Sequence, residues 1–284
     1  MTQTAPQGFA LVSGLARELT KGELHLPSLP ESVVRIRNAL SKPDFTIDEL
    51  ARIITGEPAL VGSILTMANS VALRRTGQET TDLKVAVSRI GAGMVQTAAT
   101  TFALKQLRDS KNFKDVEHLL APEWARTTRT AATAYLVGQR SRRVKPDEAL
   151  VVGLIHNIGR IYLLSRAPTY PELFASPEAI AQTLGSWHSG VAKAIVEFWH
   201  LPPETAHAVE LQDEIDGDPE RHPMVPVLTV AIALAPFDVE PSPEETGALA
   251  QRLDFQLLGL SQVNIHKIVA EREAFQQGLG LGLG

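Results

Sequence analysis

His156 and Asn157 stand side by side in VVGLIHNIGRIYLL, residues 151–164, an apolar and helix-prone run. Divalent ions that activate water are held by imidazole nitrogens together with at least one carboxylate, whose charge offsets the ion's own. An aspartate at 157 would complete such a pair; Asn157 keeps the size and the carbonyl acceptor and lacks the charge. A histidine on an apolar helix is more commonly a core residue whose polar atoms are paired. Asn157 is then expected to take up polar contacts and to help end its helix before Gly159. His188, which heads HSGVAKAIVEFWHL, reads equally as a pocket residue and as an exposed first-turn residue.

Arginine suits phosphate and carboxylate through its planar fork. Arg126, His156, Asn157, Arg160 and His188 therefore admit two readings: a small anion pocket, or a structural arginine network, the commoner outcome. Arg74 and Arg75, in ANSVALRRTGQETTD, form either a solvated turn or an interaction loop carried between rigid helices. The cluster Arg140, Arg142, Arg143 and Lys145 falls at a helix end, where cations complement the backbone dipole. It lacks the interleaved aromatics of a single-strand binder. Trp187, Phe198 and Trp199 recur at helical spacing and read as core.

Other chemistries find little support. The chain has no cysteine, which excludes disulfides and thiolate-bound zinc and is compatible with a reducing, cytoplasmic setting. GLGLGLG near the end has neither the preceding strand nor the following helix of a dinucleotide loop. No phosphate-cradling loop and no serine nucleophile elbow stands out. A net charge of −5 gives no global attraction to nucleic acid or to anionic membrane. The start, MTQTAPQGFALVSG, lacks the basic segment and long apolar core of a secretory signal. The longest apolar run, MVPVLTVAIALAPF, is broken by Pro226 and Pro236 and falls short of the ~20 residues of a spanning helix; it reads as a buried helix, with no membrane insertion.

The elements that must position these residues are helices. The 284 residues are 44% hydrophobic and only 5% aromatic, and Ala and Leu, strong helix formers, are abundant. Thr46 and Glu49 suggest a capping box, followed by an apolar face at Leu50, Ile53 and Ile54. Gly56 is expected to end that helix in the left-handed conformation, and Pro58 to open the next. Asp82 caps a helix that Gly91 ends; Trp124 to Arg140 is a long helix; Pro146 and Ser176 open two more; Pro202-Pro203 separates another pair; Ser242 and Glu245 form a second capping box. About a dozen helices with short turns, and no convincing alternating strand, predict an all-α protein. The polar segment 108–115 marks the expected boundary between an N-terminal helical lobe, residues 1–110, and a second lobe, residues 111–284, that ends in a helical extension and a flexible Gly/Leu tail.

Taken together, LPSLP, IITGEPALVGSILTMANS, LKVAVSRIG, Trp124 at the head of a helix, EALVVGLIHNIGRIYLL and HSGVAKAIVEFWHLPPETAHAV resemble, in order and spacing over roughly residues 24–235, the HDOD domains (HD-related output domains) of bacterial signalling. The resemblance implies a two-lobed helical bundle whose C-terminal lobe is built like an HD-type metal phosphohydrolase. It implies no cofactor and a regulatory role, with a sensor kinase, a receiver or a diguanylate cyclase protein as partner. In the catalytic pattern, a histidine stands where this chain has Arg126, an aspartate where it has Asn157, and in one subfamily a lysine where it has Arg160. His188 matches a ligand position; Gln212 lies near the place of a histidine pair; VLTVAIALA lacks the final aspartate. Arg126 puts a permanent positive charge where a cation would sit. The expectation is therefore a degenerate metal site, with His156, Asn157 and His188 as its remnants, in a non-catalytic module. The competing expectation is a weakened phosphohydrolase in which Asp213 or Glu210 supplies the missing charge.

Overall fold

A computed structural model describes residues 4–21, 29–70, 73, 78–215 and 222–281. Among them every regular element is a helix. The α-helices are α1 (Thr4–Lys21), α2 (Glu31–Leu40), α3 (Ile47–Thr55), α4 (Pro58–Asn69), α5 (Leu83–Arg108), α6 (Lys111–Lys114), α7 (Glu117–Ser141), α8 (Pro146–Ile155), α9 (Ile158–Ser165), α10 (Pro177–Phe198), α11 (Pro203–Glu210), α12 (Met224–Leu234), α13 (Pro243–Ala250), α14 (Leu253–Leu257) and α15 (Gln262–Gly278), with a 3₁₀ turn at Pro171–Phe174. None is long and apolar enough to cross a membrane.

The helix starts follow side-chain chemistry. The Asp82 carboxylate accepts from the Lys84 and Val85 N–H groups, and Ser176 Oγ from Ala179 N. Ser242 and Glu245 form a complete, reciprocal box. At Thr46 only half the box exists. Its hydroxyl accepts from Glu49 N, but the Glu49 carboxylate is held 2.6 Å from Lys42 Nζ and does not turn back.

Two glycines behave differently. Gly91 has φ 79° and ψ 169°, so the α5 helix breaks there and resumes at once. Gly56 is right-handed, at φ −65°, contrary to expectation. With Pro58 two residues on, the extended Glu57 makes the turn, and no left-handed residue is needed.

Helix α5 packs on α2, α3 and α4 and, across the molecule, on α8, so it links the first helices to the later ones. Arg37 of α2 adds a hydrogen bond to the Trp199 carbonyl. Helix α7 is the centre of the later helices, with α8, α9, α12 and α15 packed against it. It begins at Glu117, two turns before the expected start at Trp124. The polar segment 108–115 is not bare linker, since it holds α6, whose Phe113 is buried against Trp124 at 6.4 Å between ring centres.

The run 224–237 forms a largely buried helix as expected, with Val227, Leu228, Val230 and Leu234 fully enclosed and Pro236 beyond its end exposed. Trp187, Phe198 and Trp199 all pack on the core. Part of the supposedly flexible tail is fixed: Leu279 and Leu281 are buried, because alternate apolar side chains find the bundle surface. The N-terminal helix α1 was not signalled by any capping pattern. It lies on α10 and the 3₁₀ turn, buries Leu11 and Leu15, and places Glu18 against Tyr162 (3.0 Å) and Arg166 (3.2 Å).

Candidate functional site

The polar residues singled out by sequence meet where α7, α8, α9 and α10 converge. The α8–α9 break falls on His156 and Asn157, so both side chains point off the joint between two helices. Gly159 permits this: a methyl group there would stand 2.0 Å from the His188 carbonyl oxygen and 2.8 Å from Ala192 N, so α9 and α10 touch backbone to backbone. His188 sits in the middle of α10, buried at 6% exposure. It is neither at a helix start nor exposed, because α10 runs unbroken through Gly185 where two helices were expected.

His156 is 1% exposed and Asn157 fully buried. His156 Nδ1 lies 2.6 Å from the Gly153 carbonyl. A carbonyl can only accept, so Nδ1 carries the proton and Nε2 presents a lone pair. Burial pushes the His156 pKa down to about 3; the charges of Arg126 and His188 act the same way, and the Gly153 bond and Glu123 oppose them. The ring is neutral at physiological pH, and its Nε2 has no hydrogen-bond partner.

Asn157 Nδ2 donates to the Glu123 carbonyl (3.0 Å), to Glu123 Oε2 (2.9 Å) and to Thr127 Oγ1 (3.3 Å), while its Oδ1 is unpartnered. Arg160 grips the same carboxylate with two bonds, Nε to Oε2 at 3.0 Å and Nη2 to Oε1 at 2.9 Å. Burial raises the Glu123 pKa, but Arg160, Asn157 and Arg126 together outweigh it and hold the carboxyl below its usual range. Asn157 does take up polar contacts, but through its N–H₂ group alone, donating to oxygens that an aspartate carboxylate could not approach as a donor.

Sequence reading missed Glu123. The available signal was its place beside Trp124 on a helix face otherwise rich in small residues and threonine, where a carboxylate needs a cation.

His188 Nδ1 faces the Leu184 carbonyl at 2.7 Å and Nε2 faces Asp213 Oδ2 at 3.0 Å. The hydrogen bond to His188 lowers the Asp213 pKa; partial burial opposes it, and Arg126 and Arg160 reinforce it. Gln212 Nε2 donates to the Val209 and His156 carbonyls and so ties the end of α11 to the α8–α9 joint. Glu210 does not join the cluster; it pairs with Lys193 at 2.8 Å. Of the two carboxylates that could have supplied a missing ligand, only Asp213 arrives, and it meets His188 alone.

Arg126 is half-buried one turn beyond Glu123, and among the described residues no side chain or carbonyl bonds it. Burial, and then the neighbouring Arg160 charge, lower its pKa, with Glu123 and Asp213 acting in the other direction. Arg74 and Arg75 lie outside the described residues. The basic cluster at the end of α7 is partly spoken for: Arg140 pairs with Glu271 at 2.7 Å and Lys145 with Glu148 at 2.8 Å.

The donor set suits a divalent ion poorly. Among the described residues no three His, Asp or Glu side chains converge. The buried carboxylate is already committed to a guanidinium, the remaining one to an imidazole, and a second guanidinium adds positive charge beside His156. His156 Nε2 and Asn157 Oδ1 remain as two neutral acceptors, too few to offset a double positive charge.

Comparison with known proteins places these features. A curated protein of Treponema pallidum (strain Nichols), itself uncharacterized, is 24% identical over 225 residues, 73% of this chain; the chain spans only 41% of that protein's length. A crystal structure from Shewanella amazonensis SB2B, of a protein named as a metal-dependent phosphohydrolase, shares 25% identity and superposes with a TM-score of 0.75, covering 96% of this chain and 99% of the other. One from Marinobacter aquaeolei VT8, named as a signal transduction protein, has the same fold at 19% identity and a TM-score of 0.66, covering 96% of this chain and 65% of the other. The model of the HDOD domain matches residues 26–215, two thirds of the sequence and the whole of the site, so the chain belongs to the HDOD family.

Proposed function

We propose that this protein is a non-catalytic regulatory module of signal transduction, acting by recognition of a protein partner. The observation that carries the reading is the bidentate Arg160–Glu123 pair, with Asn157 on the same carboxylate: the anionic group nearest His156 is spent on internal cohesion. The protein acts through the surface that its two lobes present. The partner is a sensor kinase, a receiver or a diguanylate cyclase protein, by likeness to the family. The net charge of −5 argues against a nucleic-acid partner, and the cysteine-free composition suits the cytoplasm.

A competing reading, a weakened metal phosphohydrolase, draws on the name of the Shewanella relative and on the unpartnered Nε2 of His156. Metal analysis of protein purified with manganese, iron and zinc present, alongside hydrolysis of bis(p-nitrophenyl) phosphate, separates the two. The expected result is no stoichiometric metal and no turnover. Retained metal, with hydrolysis abolished by His156→Ala, would overturn the proposal.

A further inference from the structure

We infer that the hollow where the end of α7 meets the starts of α8 and α12 is a docking site for an acidic segment of a partner protein. The inference rests on the proposed recognition of a protein partner and goes beyond it by naming the partner's chemistry and the face that receives it.

Room comes first. The hollow holds about 580 Å³ and opens to solvent. Arg142, Arg143 and Lys145, beyond the last turn of α7, line it together with His222, just before α12. All four residues are exposed. Pro146 and Pro223 add rigid apolar footing between the charges.

Few carboxylates answer these cations. Arg142 makes no side-chain bond among the described residues. Arg143 has one long bond, Nη2 to the Leu257 carbonyl at 3.4 Å. Lys145 pairs with Glu148 at 2.8 Å, but both side chains are exposed, and such pairs hold weakly. Asp147, the other acid at the start of α8, is turned away. A methyl group on Gly93 would stand 1.4 Å from its Oδ2, so the carboxylate rests on α5 and lines a different cavity. His222 adds a donor: its Nδ1 accepts from Met224 N at 3.3 Å, so in the neutral ring Nε2 carries the proton. In a chain of net charge −5, the hollow is thus locally positive.

The α7 dipole does not account for this. It acts within the last turn, where Arg140 stands, already paired with Glu271. Arg142 lies past that turn at φ 54° and caps α7 through its backbone N–H, which donates to the Gly138 carbonyl. Glycine would make that cap without steric cost. The cap needs no guanidinium, and its donors are unused inside the molecule.

Carboxylates are the complement. The arginine fork matches them in geometry, and cations drawn from a helix end, a loop and the start of another helix suit a segment that carries several. No Phe, Tyr or Trp lines the hollow, so it lacks the stacking surface used by single-stranded nucleic acid.

The test is fluorescence anisotropy of labelled hexaglutamate with the full chain, beside a thymidine oligonucleotide of matched charge. Saturable peptide binding is expected, weakening as salt rises, with the oligonucleotide weaker by about tenfold. Arg142→Gln/Arg143→Gln should weaken peptide binding by about tenfold or more. Arg35→Gln/Arg52→Gln removes the same charge from exposed positions on α2 and α3 and should leave binding within about twofold. Arg142→Gly should weaken binding while keeping or raising the unfolding temperature, which separates recognition from capping. No saturable peptide binding, equal loss in the two double variants, or equal or tighter binding of the oligonucleotide would overturn the inference and leave the proposed function standing. Failure of the proposed function is read separately, as retained metal and hydrolysis lost in His156→Ala, a residue outside the hollow.

Discussion

The two sides of the polar cluster meet their charges in opposite ways. On one side, Glu123 is saturated: Arg160 takes both carboxylate oxygens and Asn157 adds a third bond. On the other, about one turn along the same helix, Arg126 has no such partner and the His156 Nε2 lone pair accepts no hydrogen bond. The first side behaves like a core element that happens to be ionic. The second retains unused bonding capacity, which a folded interior tolerates poorly without a compensating role. The saturated side ties α7 to α9, and the unsaturated side holds bonding capacity that the fold leaves unused.

Removing Glu123 should be the most damaging change. Glu123→Ala strands the Arg160 guanidinium and the Asn157 amide, and breaking a buried pair in this way costs about 3–5 kcal/mol. Denaturant unfolding measures it, and a loss below about 1 kcal/mol, the value of an exposed pair, would erase the contrast.

Gly159→Ala comes next. The added methyl meets the backbone of α10 rather than a yielding side chain, so a loss of about 1–3 kcal/mol or more is expected in the same assay. Success of this variant without loss would mean that α9 and α10 can part, and that the floor of the cluster is softer than its saturated side implies.

The pH dependence separates the two sides by window. The His156 pKa falls from 6.5 to about 3 on folding, so the unfolded chain binds the proton first. Stability is fully present above 6.5 and is lost as pH falls toward 3, by about 2 kcal/mol at pH 5 from this group. Glu123 and Asp213, held below their usual range, add a further loss only at lower pH, through their depressed values. Unfolding midpoints measured from pH 7 to about 4 should show the first slope in the wild type and a flattened one in His156→Gln. An unchanged slope would mean that His156 is not the neutral group described.

Arg126→Gln should have the smallest effect, within about 0.5 kcal/mol of wild type or stabilising, because it removes a desolvated charge and breaks no bond. A cost comparable to that of Glu123→Ala would show that Arg126 is part of the saturated network after all.

The helical architecture was legible because its signals are local. Asp82, Ser176 and Ser242 cap helices within three residues of themselves, and the prolines at 58, 146 and 203 open them. Legibility failed where the deciding contact was distant. Lys42 took the Glu49 carboxylate from its capping box, and the α10 surface received α1, whose own sequence carries no cap. At the site, the five residues Arg126, His156, Asn157, Arg160 and His188 do come together. Their pairing was not readable, since it depends on Glu123, a carboxylate with no motif of its own, and on Asp213 reaching back from the end of α11.

The stretch recognised as HDOD stops at residue 215, yet Val227, Leu228 and Val230 of α12 are entirely enclosed, with α12 packed on α7, α8 and α11 before it and on α14 after it. Arg272 of α15 then hooks the carbonyls of Leu234, Ala235 and Phe237, which fastens the end of α12 in place. A fragment trimmed to the recognised limits would therefore bare an oily trench along α7 and α8. The family signature is shorter than the unit that must fold together, and expression boundaries drawn from the former would cut through the latter.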